Sequence, residues 1–111
     1  MANGKLTTYE EFWPFYLREH AKPLSRGLHY IGTTGVLALT AAAFYTDTLA
    51  ILWLTPIFGY GFAWAAHFFV EHNKPATFTH PMWSLISDFR MYWLFLTRRL
   101  APHLVAAGIK A

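Results

Sequence analysis

Apolar positions run almost unbroken through the middle of this chain. Leu28 to Tyr45 is 18 residues with no Lys, Arg, Asp or Glu, and Leu49 to Val70 is 22 such residues. A membrane-spanning helix needs about 20 apolar residues, with a range of ~17–25. Both stretches are therefore expected to span, the first at the short limit. Thr46-Asp47-Thr48 lies between them and predicts a tight connection, so the two stretches form a hairpin. Gly32-Thr-Thr-Gly35 and Gly59-Tyr-Gly61 offer small surfaces for close helix packing. Pro56 is tolerated in such a helix and is expected to kink it.

The flanks are patterned differently. Thr8 followed by Glu11 has the form of a capping box. It predicts an amphipathic helix over about 9–21, rich in Phe12, Trp13, Phe15, Tyr16 and Leu17. Pro14 moves the expected regular start to near Trp13, and Pro23 limits the element at about Ala21. A turn follows Pro75 through Ala76-Thr-Phe-Thr79. His80 is then expected as N-cap with Pro81 at the first helical position, opening a helix to about Leu100 that Pro102 ends. Its apolar run, Met91 to Leu96, is too short to span, and Asp88 and Arg90 break the rest. The expectation is a helix lying in the membrane interface. A third, tilted span is the other arrangement open to it.

Composition reinforces the membrane reading. Of 111 residues 55% are hydrophobic and 14% charged, against about 25% charged in a typical soluble domain. Aromatics at 19% suit membrane interfaces. The net charge of +3 suits an anionic membrane surface, and its scattered basic residues do not form the massed patch of a nucleic-acid binder. Lys5, Arg18, Lys22 and Arg26 precede the first span; Lys74, Arg90, Arg98, Arg99 and Lys110 follow the second; the connecting turn has none. The positive-inside rule then places both termini in the cytoplasm. Met1 to Thr8 is polar and lacks the apolar core of a signal peptide. The length predicts one domain, 1–111. The fold class expected is all-α: an integral membrane protein with two transmembrane helices and amphipathic interfacial helices.

With no cysteine, six histidines are the main candidate ligands. Between Arg26 and Glu71 the sole charge is Asp47, with His29 18 positions before it and His67 20 after. At about 1.5 Å rise per residue the two differ in depth by only ~3 Å. A hairpin thus brings both to one mouth, where an ionisable group is costly unless paired or functional. Glu71 is spaced i, i+4 from His67 and is either a further ligand or a carboxylate orienting that ring. His80 could fold back toward the mouth as another ligand. From its position alone, His20 reads as a cation at a helix end. His72 is expected to be exposed and His103 a bystander. Such a site suits Fe²⁺ or Zn²⁺; two histidines with a carboxylate suit a non-haem iron oxygenase, and bis-histidine haem is a further option. Arg26 and Arg90 are weaker candidates for holding a substrate carboxylate or a lipid phosphate. Non-enzymatic readings, a membrane scaffold or subunit and a haem-binding electron carrier, also fit the residues.

At these histidines the chain resembles a known family. His20-Ala-Lys-Pro-Leu-Ser-Arg-Gly-Leu-His29-Tyr-Ile-Gly-Thr33 and His67-Phe-Phe-Val-Glu71-His-Asn-Lys-Pro75-Ala76 look like the two signature blocks of the Mpo1-like (DUF962) family. Pro81-Met-Trp-Ser-Leu-Ile-Ser-Asp-Phe-Arg-Met91 resembles the block of its small bacterial members. The resemblance runs from about Tyr9 to Leu100. It implies an integral membrane Fe²⁺-dependent dioxygenase that uses O₂ to shorten 2-hydroxy fatty acids by one carbon. It places metal ligands at His20, His29 and His67, and it also matches Glu71 and Pro75-Ala76. Zn²⁺ is an expected competitor at such a site. The expected location is the inner membrane of a bacterium, or the endoplasmic reticulum of a eukaryote. The expected partners are membrane lipid, the 2-hydroxy acid and O₂, and the oligomeric state is left open.

Overall fold

In the computed structural model every regular element is helical among the described residues, 6–75 and 78–109. Lys5, Lys110, Ala76 and Thr77, which entered the charge, motif and turn readings, lie outside them. The described residues form five α-helices: α1 (Tyr9–Arg18), α2 (Pro23–Tyr45), α3 (Leu54–Ala65), α4 (Pro81–Leu96) and α5 (Leu100–Ala106). A 3₁₀ stretch, Leu49–Trp53, leads into α3, and a π-helical stretch, Ala66–Glu71, continues it. The chain forms two compact units: Met1–Ala21 with Asn73–Ala111, and Lys22–His72.

The second unit is the hairpin. Pro23 opens α2 at its first position, earlier than the expected start at Leu28, because a proline there lacks only an N–H that would have no helical partner. Two helical stretches, Pro23–Tyr45 and Leu49–Glu71, are each 23 residues and apolar enough to cross a membrane. A core helix of a soluble protein would be mostly buried, yet only 22% and 6% of their apolar windows are. The turn closes where expected. Asp47 adopts a left-handed backbone (φ 53°), Thr48 N–H donates to Ala43 C=O at 2.8 Å and Asp47 N–H to Phe44 C=O at 3.3 Å. These two bonds satisfy carbonyls that the helix end leaves open. Pro56 does not kink a continuous α-helix. It lies in the first turn of α3, after the 3₁₀ stretch, where its missing N–H costs little.

The helices of the hairpin approach through glycines. A side-chain carbon on Gly32 would come within 3.1 Å of Phe62 Cβ and 3.3 Å of the Phe58 carbonyl, and one on Gly35 would enter the Phe58 ring. One on Gly59 would come within 3.1 Å of Val36. Gly61, expected to share this role, faces open space.

In the other unit the capping box is complete: Thr8 accepts from Glu11 N–H while the Glu11 carboxylate accepts from Thr8 N–H. Hydrogen bonds from Thr7 and Thr8 hold the Glu11 carboxyl below the usual range. This cap starts α1 at Tyr9, not Trp13, and Pro14 is accommodated inside the helix. Phe12, Trp13, Tyr16 and Leu17 form its buried face. His80 is the N-cap of α4 and Pro81 its first residue, as expected. The helix ends at Leu96 rather than Leu100. Arg98 turns left-handed (φ 59°), Arg99 N–H returns to Leu94 C=O at 2.8 Å, and the chain restarts as α5 with Pro102 in its first turn.

The packing of α4 inverts the usual amphipathic order. Its buried positions include Ser84 and Ser87, while Met82, Leu85, Ile86, Phe89, Trp93 and Leu96 are exposed along one stripe. The buried polar groups are paired across long sequence separations. Tyr9 Oη lies 2.8 Å from Ser87 Oγ, and Tyr16 O–H donates to Asp88 at 2.5 Å. Burial pushes the Asp88 carboxyl up to about 7, against the pull of that hydrogen bond.

Candidate functional site

The hairpin brings His29 and His67 together. Their ring centroids are 5.2 Å apart with planes at 83°, and their candidate ligand nitrogens lie within 4.8 Å of each other. Both are buried, at 6% and 2% exposure. His29 comes from the second turn of α2. His67 lies in the π-helical stretch, where His72 N–H bonds to His67 C=O, an i→i+5 bond. Such π segments inside helices are frequent at functional sites. Two buried imidazoles without carboxylate or thiolate suit a borderline transition metal such as Fe²⁺ or Zn²⁺.

His20 lies in the other unit, just past α1, and is 1% exposed. Its Nδ1 is 2.6 Å from Tyr16 C=O, and its ring centroid is 4.2 Å from that of Tyr16. A carbonyl only accepts, so Nδ1 carries a proton, and in the neutral ring Nε2 carries the lone pair. This is the tautomer that a backbone carbonyl imposes on metal-binding histidines. The helix-end reading of His20 misses this lock.

Glu71 has a definite employment within the hairpin. Its Oε2 accepts from Lys22 N–H at 2.7 Å and from the hydroxyl of the buried Ser25. Lys22 Nζ in turn donates to Val70 C=O at 2.9 Å. His80 packs within its own unit, stacked on Trp83 (5.4 Å, 3°) and 5.2 Å from Phe12, with Nδ1 2.8 Å from Thr79 Oγ1. Arg26 is buried in the first turn of α2, three residues before His29. The Arg90 guanidinium sits 4.2 Å from the Trp13 ring and 5.8 Å from that of Tyr9, a cation–π arrangement.

His72 is exposed, as expected, and its left-handed backbone (φ 59°) ends the π-helical stretch. His103, expected as a bystander to the chemistry, makes a structural tie: its Nδ1 accepts from Trp13 Nε1–H at 3.1 Å, joining α5 to α1. No local pattern marks that bond, which joins residues 90 positions apart.

Helices long and apolar enough for a membrane, and a buried histidine pair fit for a metal, define the class: an all-helical protein with a candidate metal centre. The chain belongs to the Mpo1-like family, described as 2-hydroxy-palmitic acid dioxygenase Mpo1-like, whose model matches residues 6–100. No curated protein and no solved structure matches the chain.

Proposed function

We propose that this protein is a membrane-embedded dioxygenase that uses Fe²⁺ and O₂ to shorten 2-hydroxy fatty acids by one carbon. The observation that carries the reading is the buried His29–His67 pair in a chain of this family. His20, His29 and His67 are all buried. His20 is the third ligand. Chain connectivity supports this: His20 stands two residues before Lys22, at most about 7 Å along an extended backbone. Lys22 is itself pinned to Glu71, one turn from His67. Bound there, Fe²⁺ supplies the redox and Lewis-acid chemistry that cleavage of the C1–C2 bond requires.

The chain's own residues do the rest. The Tyr16 carbonyl keeps the His20 ring in one tautomer and one orientation. Arg26 anchors the substrate carboxylate through its bidentate guanidinium. The apolar surface of the hairpin lies in lipid and aligns the acyl tail with the bilayer, holding the head near the histidines. The exposed stripe of α4, followed by Arg98 and Arg99, lies in the interface, its apolar side in the acyl region and its arginines at lipid phosphates. Both termini face the cytoplasm.

The test is oxygen uptake by detergent-purified protein loaded anaerobically with Fe²⁺. Uptake on adding a long-chain 2-hydroxy fatty acid, and none with the unhydroxylated acid, is expected. Bound iron without uptake would dismiss the substrate, and an absence of bound iron would dismiss the enzyme. A Soret band in the purified protein would instead favour haem.

A further inference from the structure

We infer that Glu71 is a positioning residue whose carboxylate clasps the start of α2 one turn from the histidine pair and sets the separation of the two imidazoles. The inference rests on the metal reading above for its purpose, and on the hairpin alone for its geometry.

Helix α2 begins without a side-chain cap of its own; Lys22 is its N-cap residue and Pro23 follows. The open N–H groups of a helix start attract an acceptor and a negative charge. Glu71 supplies both from the far end of the hairpin, 49 residues along the chain. Its Oε2 takes the Lys22 N–H and the Ser25 hydroxyl. The Ser25 Oγ is also 2.9 Å from Lys22 C=O, but its single proton goes to the closer, charged acceptor. Lys22 answers with its own side chain, donating to Val70 C=O. The clasp is thus reciprocal: the end of the second helical stretch caps the start of α2, and the start of α2 caps that end.

Spacing gives the clasp its leverage. Ser25 and His29 are i, i+4 on α2, and His67 and Glu71 are i, i+4 on the π-helical stretch. The Ser25–Glu71 bond therefore lies one turn from the His29–His67 contact, between the same two elements. Two imidazoles on separate helices hold a metal only while the helices keep their separation, and the clasp fixes it at the open end.

The experiment is an anaerobic Co²⁺ titration of the full-length protein in detergent, with visible absorption reporting the donor set. Ser25→Ala and Glu71→Ala are each expected to weaken Co²⁺ binding by roughly 10–100-fold with an unchanged absorption envelope. Glu71→Gln keeps an accepting oxygen and is expected to stay within a few-fold of the parent. Loss of binding and a shifted spectrum in Glu71→Gln, with Ser25→Ala binding like the parent, would make Glu71 a ligand and overturn the clasp. Amide exchange supplies a readout without metal. The sequence has only four lysines, so ¹⁵N-lysine labelling isolates the Lys22 amide. Its exchange should be slow in the parent and Glu71→Gln and fast in Glu71→Ala; equal rates in all three would overturn the clasp. A parent that binds no Co²⁺ would sink the metal reading and the purpose assigned to the clasp, leaving its geometry to the exchange rates.

Discussion

Between Lys22 and His72 two helices meet through glycines, and most of their apolar surface faces outward. In the unit built from Met1–Ala21 and Asn73–Ala111, the helices meet through aromatic rings and paired polar groups: Phe12 on Trp83, Tyr16 on Asp88, Trp13 on His103. The hairpin gains its contact from backbone proximity, which suits a solvent that gives helices no hydrophobic reason to associate. The other unit gains contact from large side chains and pairs polar groups such as Tyr9 with Ser87 and Tyr16 with Asp88. The proposed ligands divide in the same way. The hairpin holds the candidate ligands His29 and His67, and the aromatic unit holds the third proposed ligand, the locked ring of His20.

The sharpest way to break this comparison is to remove a donor from the hairpin. His67→Ala should lower iron affinity by at least about 100-fold and abolish oxygen uptake, measured by iron content and an oxygen electrode. His103→Ala, in the aromatic unit, should leave iron content unchanged. Next in size is the glycine contact. Gly35→Ala forces the Phe58 ring to move and should destabilise the hairpin by about 1–3 kcal/mol. Gly61→Ala meets open space and removes a mid-helix glycine, so it should stabilise by up to about 1 kcal/mol. Thermal unfolding in one detergent compares the two directly.

The aromatic unit should be the pH-sensitive one. The Asp88 carboxyl is raised from 3.8 to about 7 by burial, so the folded state holds its proton more tightly than the unfolded chain. Its contribution is fully present below about pH 4 and is lost as pH rises through about 7. Asp88→Asn keeps an acceptor for the Tyr16 hydroxyl. It should flatten the melting temperature between pH 5 and pH 8 and raise it at pH 8. The smallest effect belongs to Arg98. Its left-handed backbone costs about 1–2 kcal/mol for a side chain, so Arg98→Gly should stabilise the α4–α5 corner by about 1 kcal/mol.

Much of the hairpin was legible because its signals are local. Uncharged stretches gave the helices, Thr46-Asp47-Thr48 gave the turn, and near-equal spacing about Asp47 paired His29 with His67. His20 was legible only through its resemblance to a family block, since its partner is a backbone carbonyl one turn back. The break at Arg98 escaped because a charged residue in a left-handed turn leaves no composition signal. The clasp and the Tyr16–Asp88 bond join residues 46 or more positions apart, which periodicity cannot register.

The π-helical stretch limits how this chain can change. In a helix each added or removed residue rotates everything beyond it by about 100°. His67 stands near the start of Ala66–Glu71 and Glu71 at its end. At that turn per residue a single insertion between them would swing one away from the other, whereas a deletion would leave them three apart, a spacing that still shares a helix face. Loops absorb changes of length readily. This segment can vary in residue type at Phe68 and Phe69, which face outward, but cannot gain a residue and keep the pair together.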